Sequence, residues 1–232
     1  MHALIFDFDG LILDTEASHY EAWRRTYQAH GQELPLPAWR AGVGRVGGFD
    51  ALAELRARVG HPLDEPALRR ERLRHRDEII ATLEVRPGVH AWLADAHRQG
   101  LHLAVASSSP RDWVVGHLER LSLLERFDFV ATSDDVDHVK PHPAVYQHAL
   151  AELGISGRQA VALEDSVHGA TAAVQAGCFC VVVPNAVMQG QRFNEAHLVV
   201  GSLAECGLSE VLDRARAWRG DVEGEQRRPD FR

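Results

Sequence analysis

Residues 3–10 read Ala3-Leu4-Ile5-Phe6-Asp7-Phe8-Asp9-Gly10, a short apolar run that turns acidic and stops at a glycine. Such a run reads as a buried strand with polar groups at its C-terminal end. Comparable runs follow at 101–106, 127–131, 159–163 and 178–183. Helical patterns lie between them at 90–99, 113–124, 144–153 and 169–176. Three of these close on Gly100, Gly154 and Gly177, where glycine suits a left-handed cap. Strand and helix therefore alternate. The alternation predicts an α/β fold, a doubly wound parallel sheet covered by helices on both faces, with functional groups at the carboxyl ends of the strands.

The alternation breaks after Thr15. From 15 to about 83 the patterns are helical and no strand is evident. The last piece, 64–83, is rich in Arg and Glu with apolar residues at Leu68, Leu73, Ile79 and Ile80. This predicts a helical cap over 15–83 inserted into a core formed by 1–14 and 84–219, re-entered near Arg86-Pro87-Gly88. The segment 220–232 is charged and poor in apolar residues, and it is expected to be a disordered tail.

Composition bounds the function. A chain of 232 residues with 45% hydrophobic and 25% charged residues can bury a sizeable core, which excludes global disorder. A net charge of −8 lacks the basic footprint of a nucleic-acid binder. No run is long enough to span a membrane, and the opening residues carry no secretory pattern, so a cytoplasmic protein with no membrane partner is expected, as a monomer. Cys178 and Cys180 are one residue apart, a spacing that suits strand alternation better than a disulfide.

Four elements carry chemistry, each at the end of an apolar run. Asp7 and Asp9 project the same way from an extended chain, so either they share a cation, one holds a raised pKa, or the motif is only a turn. Ser107-Ser108-Ser109-Pro110 offers hydroxyls and free N–H groups, as an anion site or as a helix N-cap. Lys140 is the sole lysine among 25 basic residues, and Pro141 and Pro143 stiffen the loop behind it. A chain that elsewhere uses arginine needs a compact ammonium there, unless the side chain is merely solvated. Glu164-Asp165 suits a hard cation such as Mg²⁺, or else the acidic start of a helix.

Taken together and in this order, Asp7-Phe8-Asp9-Gly10, Ser107, Lys140 and Glu164-Asp165 resemble the haloacid dehalogenase superfamily of phosphotransferases. The insert resembles the small cap of its β-phosphoglucomutase-like branch. The resemblance implies a Rossmann-like core and a Mg²⁺-dependent phosphomonoesterase acting on a small organic phosphate ester, a sugar phosphate by preference. It implies Asp7 as nucleophile forming an aspartyl-phosphate and Asp9 as general acid and base. Mg²⁺ would be held by Asp7, the Asp9 carbonyl and Asp165, with Glu164 nearby. The phosphoryl oxygens would be held by Ser107 and Ser108, and Lys140 would balance the charge.

In the insert, Arg45 and Arg76 match cationic positions that bind a distal phosphate in the mutase branch, and Thr15 and His19 match positions near the cap hinge. Pro110-Arg111 stands where β-phosphoglucomutase has a Lys-Asn pair. That departure looks more like hexose- and polyol-phosphate phosphatases, with Arg111 as a substrate-side residue. Two alternatives stand beside the phosphatase: a phosphosugar mutase, and a non-catalytic phospho-acceptor module. Trp23, Trp39 and Trp92 fall in helical patterns and are expected to pack.

Overall fold

Alternation along the first strand sorts its side chains onto two faces, and the rest of the sheet follows. The computed structural model describes residues 1–42, 49–188 and 190–226. Strands β1 (Ala3–Phe6), β2 (His102–Ala106), β3 (Phe129–Ala131), β4 (Ala160–Glu164), β5 (Phe179–Val182) and β6 (Leu198–Val199) form one parallel sheet in the order β3-β2-β1-β4-β5-β6. Leu4, Phe6, Leu103, Val105, Val161, Leu163 and Val181 face helices α5 (Val89–Arg98), α6 (Arg111–Arg120) and α9 (Leu208–Gln226). Ala3, Ile5, Ala104, Ala106, Ala160, Ala162 and Cys180 face α7 (Ala144–Glu152) and α8 (Val167–Gln175). Both faces are buried, so the central strands read as unbroken apolar runs. Strand order reverses at β1, which places the crevice at the carboxyl ends of β1 and β4.

Between β1 and α5 the chain forms α1 (Thr15–Ala29), α2 (Leu36–Gly42), α3 (Ala51–Val59) and α4 (Glu65–Thr82). Asp14, Asp50 and Asp64 cap three of these helices by accepting from backbone N–H groups of the first turn. Tyr27, Leu34, Ala51, Leu55 and Leu68 form a small apolar cluster of their own, and the Tyr27 hydroxyl donates to the Ala51 carbonyl at 2.8 Å.

Several boundaries differ from the sequence reading. Strand β1 stops at Phe6 because the chain turns at Gly10, whose φ of 85° needs no Cβ. Strand β6 has two residues, too few to register as a periodic run. Helix α6 starts at Arg111 and ends at Arg120, four residues short of the expectation, because Ser122 takes a left-handed φ of 56°. Helix α9 runs to Gln226, which corrects the expectation of disorder for 220–226. Low apolar content argues against burial, not against helix. The remaining tail positions lie outside the described residues. Among those described, no helix is long and apolar enough to cross a membrane. Cys178 and Cys180 are free and buried on one face of the sheet, as their spacing predicts.

Candidate active site

A cleft of about 520 Å³ opens over the carboxyl ends of β1, β2 and β4, between the sheet and helices α1 and α4. Asp7 leaves the end of β1, where its backbone N–H still donates to Leu163 at 2.9 Å. Its side chain is 8% exposed, and Oδ1 accepts from the Lys140 ammonium at 2.5 Å. The same ammonium donates to Oε1 of the fully buried Glu164 at 2.6 Å, and the Tyr146 hydroxyl donates to that oxygen at 2.6 Å. Burial alone would depress the lysine, but Asp7 and Glu164 outweigh it and hold the ammonium protonated above its ordinary range. Burial pushes the Asp7 carboxyl up, against the pull of Lys140.

Asp165 follows β4 and is held from the side by the Asn185 amide, which donates to Oδ2 at 2.7 Å. Gly10 must be glycine here, because a Cβ would stand 1.9 Å from that same Oδ2. Burial and then the Asp7, Glu164 and Glu16 carboxylates push Asp165 up. Glu16, in the first turn of α1, is raised to about 7 by burial and by Asp9 and Asp14. The cleft thus gathers acidic groups around one ammonium. Among the described residues, Asp7, Glu164 and Asp165 each offer a carboxylate oxygen within 4.8 Å of one another, an all-oxygen donor set suited to a hard divalent cation.

Asp9 sits in different surroundings. Its Oδ1 accepts from the Thr15 hydroxyl at 2.8 Å and the Trp113 indole N–H at 3.0 Å. Oδ2 accepts from Ser109 at 2.6 Å and, at a longer 3.4 Å, from Ser107. Ser107 and Ser108 line the cleft at the end of β2. The backbone N–H of Lys140 donates to Ser108 Oγ at 3.2 Å, which ties the serine loop to the lysine loop.

The fold therefore brings Asp7, Asp9, Thr15, His19, Arg76, Ser107, Ser108, Lys140 and Asp165 to one cleft, with Glu164 beneath Lys140. His19 is lowered to about 4 by burial and by Arg76 and Arg72, so it is neutral at pH 7. Arg111 does not belong with them. Its guanidinium turns to Asp135 at 2.8 Å and to the Val130 carbonyl at 3.1 Å, lining a separate depression, which corrects its placement on the substrate side. Arg45 lies outside the described residues. The sequence reading missed Ser109, Trp113, Tyr146, Glu16 and Asn185. Ser109 was within the quoted serine run, while the others sit in patterns that read as packing, helix or loop.

Residues 4–183 match the model of the haloacid dehalogenase-like hydrolases, and the chain belongs to that family. It is an enzyme of the phosphatase type found among its relatives. It is 42% identical over 214 residues to YhcW of Bacillus subtilis, which carries a phosphatase name, across 91% of this chain and 96% of that one. It is 31% identical to hexitol phosphatase B of Escherichia coli, across 90% of this chain and 96% of the relative. A solved structure from Thermotoga maritima, described as a beta-phosphoglucomutase, shares 28% identity and a TM-score of 0.76 over 92% of this chain and 99% of its own.

Proposed function

We propose that this phosphatase hydrolyses a small sugar or polyol phosphate through an aspartyl-phosphate on Asp7, with Mg²⁺ as its cofactor. The observation that carries the reading is two carboxylates in one cleft with opposite surroundings: Asp7 paired with a buried ammonium, and Asp9 surrounded by hydroxyl and indole donors. Asp7 attacks phosphorus. Asp9 protonates the departing alcohol oxygen, then takes a proton from the water that hydrolyses the acyl phosphate. Lys140 holds Asp7 in place and balances the charge that accumulates on the transferring group, while Glu164 and Tyr146 fix the ammonium. Ser107 and Ser108 line the side of the cleft where phosphoryl oxygens would lie.

Asp7 and Asp165 would hold the Mg²⁺, with Glu164 behind them. When bound, the ion offsets the negative charge of the cleft against an arriving phosphate. His19 and Arg76, from the helices above, face the substrate's remaining part. The hexitol phosphatase relationship supports a sugar or polyol ester.

A phosphosugar mutase is the second reading, favoured by the Thermotoga maritima structure. Pro110 offers no N–H in the loop where that branch has a substrate-holding pair, and Arg111 is engaged by Asp135. Inorganic phosphate release from a panel of sugar and polyol phosphates with Mg²⁺, beside an Asp7→Asn control, tests the proposal. Release that depends on Asp7 supports the phosphatase. Conversion of β-glucose 1-phosphate to glucose 6-phosphate only when a sugar bisphosphate is added, with no phosphate released, would establish the mutase.

A further inference from the structure

We infer that Trp113 is a positioning residue for Asp9, its indole N–H reserving Oδ1 as an acceptor so that Oδ2 is the oxygen that works on the substrate. The inference rests on the reading of Asp9 as the acid–base group. Four donors surround that carboxylate, and three are hydroxyls from Thr15, Ser107 and Ser109. A hydroxyl can rotate and accept instead. The indole Nε1–H at 3.0 Å can only donate. A proton arriving on Oδ1 would face the indole hydrogen, whereas on Oδ2 it would face Ser109 or Ser107, which can turn to receive it. The donor-only neighbour therefore breaks the equivalence of the two oxygens.

The indole is itself held. Trp113 lies in the first turn of α6, and His117 packs edge-on against it, with centroids 4.4 Å apart and planes at 83°. The Arg76 guanidinium of α4 also lies 4.9 Å over the ring, as a cation–π contact. Arg76 is fixed in turn by Asp77 at 2.8 Å. One side chain thus links the acid–base carboxylate to the helical insertion, and Arg76 acts on the reaction through the ring as well as by lining the cleft.

Trp113→Phe keeps a ring for Arg76 and His117 but removes the N–H. Protonation matters for a poor leaving group such as the sugar oxygen of glucose 6-phosphate, and little for p-nitrophenyl phosphate, whose phenolate departs unaided. The expected result is a roughly 10- to 100-fold loss of kcat/KM on glucose 6-phosphate, as for one lost hydrogen bond to a charged group, with a loss several-fold smaller on the aryl ester. Trp113→His, which retains a ring N–H, recovers part of it. Equal losses on both esters, or no loss, while Asp9→Asn shows the leaving-group bias, would overturn this inference alone. Equal losses in Asp9→Asn would overturn the reading of Asp9 and the inference with it. Should Trp113→Phe fold poorly, the indole N–H proton resonance of Trp113 serves instead. It should move when Asp9→Asn replaces the accepting carboxylate, and an unmoved resonance overturns the inference.

Discussion

A methyl group placed on Gly169 sets two effects of opposite sign against each other. Gly169 lies in the first turn of α8, and its N–H donates to the capping Ser166 hydroxyl at 3.1 Å. On helix propensity alone, Gly169→Ala stabilises by about 1 kcal/mol. The added Cβ, however, would stand 1.9 Å from Glu164 Oε2 and 2.1 Å from Oε1, which forces the carboxylate to move. Glu164 is fully buried, and its Oε1 receives both the Lys140 ammonium and the Tyr146 hydroxyl. Giving up two hydrogen bonds to a charged group costs about 3–6 kcal/mol, so the net expectation is a loss of about 2–5 kcal/mol. Urea unfolding followed by tryptophan fluorescence measures this. Phosphatase activity should fall at least tenfold in the same variant, because Lys140 loses one of its two anchors. The contrary result is a variant as stable as the parent or about 1 kcal/mol more stable, with full activity. It would mean that Glu164 is free to move and does not fix the lysine.

Three further outcomes are expected. Lys140→Arg should lose activity on the order of 100-fold, since the guanidinium cannot fit between Asp7 and Glu164 at the 2.5 and 2.6 Å spacing of the ammonium; steady-state kinetics on any turned-over ester check this. Glu16 is raised from 4.5 to about 7, so the folded state binds its proton more tightly than the unfolded one, and stability falls as pH rises through that window. Glu16→Gln should therefore match the parent near pH 4 and exceed it by on the order of 2 kcal/mol at pH 8 without added metal, in thermal or urea unfolding. Burial pushes the Cys178 thiol up to about 12 and also raises Cys180, while Cys206 is partly exposed, so a thiol reagent should label Cys206 in the native protein and the other two only on unfolding.

The sheet was legible because its central strands are buried on both faces, which leaves long apolar runs ending in the residues that line the cleft. Asp7, Ser107 and Asp165 stand where β1, β2 and β4 finish, so a reading of strand ends found them. What remained hidden depends on contacts between distant positions. Tyr146 lies in an apolar helical pattern, and only the fold aims its hydroxyl at Glu164, 18 residues on. Asn185 stands in a loop after β5 with nothing local to mark it as the support of Asp165. Trp113 opens a helical pattern and drew no attention of its own, because helical spacing says nothing about the direction of an indole N–H. Arg111 erred the other way: closeness in sequence to the serine loop suggested the cleft, but Asp135, 24 residues further on, draws its guanidinium away. Arg76, singled out by the resemblance, is set apart in the fold by lining the cleft over the Trp113 ring, whereas Arg72 covers Trp23 away from it.

On the proposed mechanism Asp7 carries the phosphoryl group between two steps, both of which use Asp9. Acid-quenching the enzyme during turnover of a sugar phosphate with Mg²⁺, then mapping phosphorylated peptides by mass spectrometry, tests it directly. A phosphorylated carboxylate at Asp7, absent in Asp7→Asn and lost on treatment with hydroxylamine, is the predicted result. Steady phosphate release by an enzyme that never carries phosphate at Asp7, or undiminished release by Asp7→Asn, would contradict it.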